Sequence, residues 1–200
     1  MGMTVDGGWG TRPHEGRGVF TVGLDLGQRA DFTAICVLET HEDGGGVVRH
    51  EVRHLERIRD RPYQDITRRM VALLRYDGPL ADAALVVDAT GVGAAVVDQL
   101  RALDLRPVAV TIHGGDRVSR EGDAYRVPKR DLVASVQVPL QNGALKVAAG
   151  LALAGTLKEE LLTFKVKIDP ATAHDSYSAW REGQHARKVT CRTRSPRART

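Results

Sequence analysis

Asp25 and Asp88 each close a run that otherwise has the composition of a buried strand, Val19-Phe-Thr-Val-Gly-Leu-Asp-Leu26 and Ala84-Leu-Val-Val-Asp-Ala89. A carboxylate in apolar surroundings is costly unless a cation offsets it, and two of them brought together are a common means of holding a hard divalent ion. Each aspartate is followed by glycine-bearing turn residues, so each is expected at a strand end. Divalent-metal chemistry is therefore the first function this pair suggests. The competing role is local: Asp88 precedes a helix expected to start near Val92, where an aspartate can serve the turn or the N-cap.

Other residues carry weaker signals. His50-Glu-Val-Arg-His54 matches the zinc-protease pattern H-E-x-x-H, which needs a helix to place both imidazoles on one face. The segment reads as a strand, in which residues four apart lie too far apart to chelate one ion. Asp31 opens the next strand, as turn aspartates often do. Gly91 and Gly93 precede a helix and can provide either a tight turn or backbone N–H groups for a phosphate. Lys129 and Arg130, near Arg117, Arg120 and Arg126, are candidate contacts to a DNA backbone. Asp116, Glu121, Asp123 and Asp131 nearly cancel that charge. Tyr177 and Trp180 are expected to pack rather than stack on a ligand.

The 200 residues, 42% hydrophobic and 27% charged, suit one sizeable core. No apolar run approaches a membrane span and the first residues lack a signal pattern, so a chain of the cytoplasm is expected. Cys36 and Cys191 show neither CxxC spacing nor a disulfide framework. The pI of about 9.3 comes from residues 186–200, which hold six basic groups and no acidic one. Removing those six from the 29 leaves 23 basic against 25 acidic groups, a net of −2 for residues 1–185. The basicity belongs to the tail, and it does not argue for a DNA-binding face on the domain.

Periodicity supplies the elements that must position these groups. Residues 1–18 read as a disordered linker, 19–185 as one domain and 186–200 as a basic disordered tail. Three strands are expected at Val19–Leu26, Asp31–Thr40 and Val47–Ile58, the last two joined by a glycine turn at 42–46. A helix opens at Pro62 with Ile66, Met70, Leu73 and Leu74 in phase and stops at Asp77-Gly78. Ala84–Ala89 is a strand, followed by a helix with Val92, Val96, Leu100 and Leu103 aligned. Pro107–Ile112 is a strand, and 117–127 a polar hairpin. Pro128 opens a helix with Leu132, Val136 and Leu140 in phase, and Leu153, Leu157, Leu161 and Phe164 mark another. There is no internal repeat. The pattern describes an α/β mixed sheet with helices on both faces. In such a sheet the first strand and the strand after the first helix commonly pair in parallel, which would bring Asp25 and Asp88 to one end.

Gly23-Leu-Asp-Leu-Gly27 with Asp31-Phe-Thr-Ala34, Val86-Val-Asp-Ala-Thr-Gly-Val-Gly93 with Val97-Asp98, and Val127-Pro-Lys-Arg-Asp-Leu-Val133 together resemble, in order and spacing, the C-terminal nuclease domain of tailed-phage terminase large subunits. The resemblance runs from about Val19 to His185. It implies a ribonuclease H-like fold and a metal-dependent endonuclease that cuts concatemeric double-stranded DNA during genome packaging. It also implies two Mg²⁺ or Mn²⁺ ions, with Asp25 and Asp88 as the first two catalytic metal-binding acids. The implied partners are double-stranded DNA, a portal protein and a terminase small subunit, with no membrane.

The chain departs from that pattern at its last motif. The family carries Gly-x-His-Asp-Asp there; this sequence follows it through Gly183-Gln-His185 and then continues Ala186-Arg-Lys-Val-Thr190. Such a change reads as a shifted frame or rearranged terminus, and it predicts a missing closing helix, a missing metal ligand and impaired cleavage. Asp169, Asp175 and Glu182 are possible substitutes, and nothing in the sequence selects among them. No G-x-x-x-x-G-K-[ST] loop occurs, so a packaging ATPase is not expected in this chain. Two other classes stay open: another enzyme on this kind of sheet, such as a junction resolvase or a sugar-kinase-like ATPase, and a non-catalytic DNA-binding or assembly module.

Overall fold

The computed structural model describes residues 18–28, 31–75, 78–148, 150–169 and 174–178. The expectations for the N-terminal linker, the run after His185, the closing helix, Glu182 and Trp180 lie outside the described residues.

The chain opens with an antiparallel meander, β1 (Val19–Asp25), β2 (Thr33–Glu42) and β3 (Val48–Ile58). The turn between β2 and β3 is set by Asp43, whose Oδ1 accepts from the backbone N–H groups of Gly45 and Val47 at 3.0 Å each, and by Gly46 at φ +78°. Helix α1 (Tyr63–Arg75) follows, then β4 (Ala84–Asp88), α2 (Gly93–Ala102), β5 (Pro107–His113) and the small hairpin β6 (Ser119–Glu121) and β7 (Ala124–Pro128). Helix α3 (Lys129–Gln141) leads to the three-residue strand β8 (Leu145–Val147), and α4 (Ala154–Thr163) follows. Among the described residues, strands β9 (Lys165–Asp169) and β10 (His174–Ser178) form a separate two-stranded sheet.

Eight strands form one mixed sheet in the order β6-β7-β5-β4-β1-β2-β3-β8. β1 and β4 pair in parallel, as expected. The core lies on one side of this sheet. Val22, Leu24, Ile35, Val37, Leu85 and Val87 alternate inward against Ile66, Met70 and Leu74 of α1 and Val96, Val97 and Leu100 of α2, all buried. Burying a side chain of this size is worth about 1.5–3 kcal/mol.

α3 and α4 belong to the opposite face. The connections through α1 and α2 step toward the β6 edge, whereas β7-α3-β8 crosses the sheet toward the other edge. Right-handed crossovers in opposite directions place their helices on opposite faces. α4 joins that second face through Glu160, which pairs at 3.4 Å with Arg57 of β3. Helices therefore cover both faces of an α/β sheet. The expected apolar stripes are not deeply buried here: among the described residues, no side chain of α3 or α4 is buried, and Val136 and Leu140 are exposed. The sheet presents Leu38, Val52, Val86 and Val108 to that side, and Pro139 interrupts the α3 repeat.

Two strand expectations were incomplete. β8 is an edge strand of three residues, too short to announce itself by alternation. The β9-β10 hairpin falls in a stretch to which the sequence assigned no element.

Candidate metal centre

Strand alternation decides where the two acids point. Leu24 and Val87 face the core, so the next residues, Asp25 and Asp88, face the α3-α4 side. Leu24 and Val87 are register partners in the parallel pair. Asp25 and Asp88 are one step beyond them on adjacent strands, at the same end and on the same face.

Their electrostatics agree with that placement. The Asp25 carboxyl is raised above its ordinary value of 3.8, first by the protein packed around it, then by repulsion from Asp88 and from Asp31. A hydrogen bond from the Leu26 backbone partly opposes the shift. Asp25 is nevertheless solvent-exposed by area. The two facts fit a carboxyl on a concave edge, reached by water but with much of its outer hydration displaced by protein. Asp31, expected as a turn residue, adds a third carboxylate near this sheet end.

Asp88 is held by the turn that follows it. Its Oδ1 accepts from the Thr90 N–H at 2.8 Å, and Thr90 Oγ1 accepts from the Ile112 N–H at 2.9 Å. The N-cap of α2 is Val92, with no side-chain cap, so Asp88 is a turn residue with one oxygen engaged. Gly91 takes φ +65°. A Cβ on Gly93 would collide with the Asp88 carbonyl oxygen. Both glycines serve the tight strand-to-helix turn, which accounts for them without a phosphate cradle.

The Asp31 side is equally constrained. Gly27 packs so closely that a Cβ would collide with the Asp31 carbonyl, and its own carbonyl accepts from the Tyr63 hydroxyl at 3.1 Å. Asp31 also lines a cleft of about 360 Å³ with Ile58, Arg61 and Tyr63.

Among the described residues, no group of three His, Cys, Asp or Glu side chains is gathered closely enough to hold an ion. The donor set fits a partial site for a hard cation. Mg²⁺ in particular keeps several waters and takes one or two carboxylates plus substrate oxygens. Asp169 ends β9 and Asp175 lies in β10.

The remaining candidates separate. Arg130 pairs with Asp116 on the surface, with Nη1 at 2.8 Å from Oδ1 and Nη2 at 3.1 Å from the carbonyl, the arrangement of the solvated-hairpin alternative. Lys129 lies at the same sheet end as the acids but follows β7, two strands beyond β4. His50 and His54 do not even share a face, contrary to the simple strand picture. A register shift at Arg53 pairs His54 with Val37 but Val52 with Leu38, turning the imidazoles to opposite sides. His50 Nδ1 meets Thr40 Oγ1 at 3.0 Å, and His54 Nε2 meets Glu56 Oε1 at 2.7 Å. Burial pushes the Cys36 thiol up to about 11, which makes it inert.

The sequence passed over Arg57 and Arg59. Both guanidinium groups stack on Phe32, at 4.3 and 5.3 Å from the ring centroid. Their i, i+2 spacing in a strand was the available signal.

No family model matches the chain, and no curated protein matches it. Solved structures are similar in fold. The large terminase nuclease of the thermophilic phage G20c with bound magnesium matches with a TM-score of 0.61 and 21% identity, over 85% of this chain and 76% of that one. The large terminase nuclease domain of Thermus phage P74-26 matches with a TM-score of 0.58 and 19% identity, over 86% and 76%. The chain therefore has the ribonuclease H-like fold of large terminase nuclease domains.

Proposed function

We propose that the chain is a divalent-metal-dependent endonuclease of the terminase type, acting on double-stranded DNA, with Asp25 and Asp88 as its metal-binding acids. The observation that carries this reading is the juxtaposition of the two carboxylates on adjacent strand ends, with repulsion from Asp88 contributing to the raised Asp25 carboxyl. A cation relieves that repulsion, and the magnesium in the phage G20c nuclease supports the choice of ion.

When bound, such an ion supplies water activation and stabilisation of the leaving oxygen. The chain's own residues do the positioning. Asp25 sits on the rigid end of a central strand, Asp88 is oriented by the Thr90 N–H, and Asp31 adds negative charge beside them. The wider context in this reading is genome packaging in a host-cell cytoplasm, with a portal protein and a small subunit as partners. No helix among the described residues is long and apolar enough to cross a membrane.

The reading includes reduced activity, because Ala186-Arg-Lys188 stands where the resemblance calls for acids. The test is Mn²⁺-dependent nicking of supercoiled plasmid by the full chain and by Asp25→Asn and Asp88→Asn. Slow nicking lost in both variants supports the proposal; nicking that survives in either variant, or none at any Mn²⁺ concentration, counts against it.

A further inference from the structure

The acid pair is part of a longer row. Register partners in an antiparallel sheet point to the same side, and Asp25 pairs with Ala34, which pairs with Arg57. Asp88, Asp25, Ala34 and Arg57 therefore form one line across four strands on the α3-α4 face. With strands about 4.8 Å apart, Arg57 stands roughly 10 Å from Asp25, with the small Ala34 between them.

Arg57 does not act alone. Thr33 pairs with Ile58, which sets Phe32 opposite Arg59 one step further on. The Phe32 ring carries both guanidinium groups. Stacking of this kind restrains two long side chains before any ligand arrives, lowering the entropy lost when they bind one. Their acidic partners are loose: Glu160 lies 3.4 Å from Arg57, and Asp60 lies 3.8 Å from Arg59 with its side chain 80% exposed. An ion pair as solvent-exposed as Arg59–Asp60 is worth little and exchanges readily, and the 3.4 Å Arg57–Glu160 contact is longer than a strong charge-assisted hydrogen bond.

We infer that Arg57 and Arg59, held on Phe32, form a phosphate-backbone contact flanking the acid pair on the β3 side. The inference rests on the nuclease reading and adds to it the path of the bound strand. An array of carboxylates beside planar guanidinium forks suits a polyanion with regularly spaced charges. Asp25 and Asp88 would hold one phosphate through the cation they bind, and the arginines, whose N–H geometry matches phosphate oxygens, would take a neighbouring one. Isolated anions would gain nothing from the acids, and a cationic ligand would be repelled by the arginines.

The test is fluorescence anisotropy of the full chain with a labelled blunt DNA duplex in Ca²⁺, titrated with salt. Each lost phosphate contact lowers the slope of log K against log salt by about 0.9. Arg57→Ala/Arg59→Ala should lower it by about one to two and weaken binding roughly ten- to a hundredfold near 0.1 M salt. Arg68→Ala/Arg101→Ala, the same charge loss at exposed helical sites, should leave the slope unchanged. Phe32→Leu, which keeps both charges, should give an intermediate loss. Arg59→Ala alone, at a position 40% exposed, covers the case in which the double variant does not fold. Duplex binding with equal slopes in the wild type, Arg59→Ala and the double variant, or equal losses in the control, overturns the inference while leaving the nuclease reading intact. Absence of duplex binding by the wild type overturns both.

Discussion

Asp25 and Asp88 stand on neighbouring parallel strands, one residue past the Leu24 and Val87 register pair and on the same face of the sheet. Two core leucine and valine positions thereby fix two acids: any slip that separated the carboxylates would also expose Leu24 or Val87. The site is coupled to the hydrophobic core through register rather than through hydrogen bonds.

The first prediction concerns that repulsion. Asp25 is raised above 3.8 in the folded chain, so its contribution to stability is full below about pH 4 and is lost as pH rises through the raised value. Asp25→Asn has no such loss. In EDTA the variant should melt at the wild-type temperature near pH 4, if the fold survives there, and above it at neutral pH, with the gap opening across the lower part of that interval. Thermal melts by circular dichroism across pH check this; a variant less stable than wild type at neutral pH would contradict it.

A second carboxylate behaves with the opposite sign. Burial alone would raise Glu56, but hydrogen bonds from His54 and Arg69 overcome it and hold the carboxyl at about 2. Its stabilisation is present above the unfolded value of 4.5 and disappears as pH falls toward about 2. Glu56→Gln should cost about 2 kcal/mol at pH 7, a fall of roughly 4–8 °C in melting temperature, with the deficit vanishing in strong acid. A deficit that persists unchanged to low pH would show that packing, not charge, holds α1 to β3.

Gly93 links the turn to the site. A Cβ there would collide with the Asp88 carbonyl, so Gly93→Ala should destabilise by about 1–3 kcal/mol and displace Asp88. Gly155 in α4 has open space around its missing Cβ and no positive φ, so Gly155→Ala should be neutral or stabilising by up to about 1 kcal/mol. Chemical denaturation of the two variants separates a packing glycine from an ordinary one. Equal effects would remove the argument that Gly93 is required by contact.

The sequence made much of this arrangement legible, because β1, β4, α1 and α2 carry strong apolar periodicity and the acids fall at the points where it stops. Parallel pairing of β1 with β4 followed from topology rules alone. Less was legible where the signal is geometric. The bulge at Arg53 that sends His50 and His54 to opposite faces is invisible in the letters, since it depends on how β2 pairs with β3. Arg57 and Arg59 went unnoticed for a similar reason: their proximity to Asp25 exists only once three strands are in register. Lys129 and Arg130 drew attention as adjacent cations, but Asp116, 14 positions before Arg130, takes up one of them. β8 was missed because three residues cannot show alternation.

The last prediction addresses metal and the altered run after His185. Asp25 and Asp88 alone are a partial ligand set, and among the described residues no third acid completes a cluster. Mn²⁺ should therefore bind weakly to the wild type, raising its melting temperature only at high concentration, in accord with mass action. Asp25→Asn should abolish that rise, since it removes the carboxylate whose charge the ion offsets. Introducing Ala186→Asp and Arg187→Asp supplies the acids that the terminase pattern places there. If they reach the pair, Mn²⁺ should bind roughly 10- to 100-fold more tightly and plasmid nicking should accelerate with it. Isothermal titration on wild type and the double variant measures the first, and a nicking time course the second. Tighter binding without faster nicking would mean that the chain lacks more than a ligand; unchanged binding would mean that positions 186 and 187 do not reach the Asp25 and Asp88 end of the sheet.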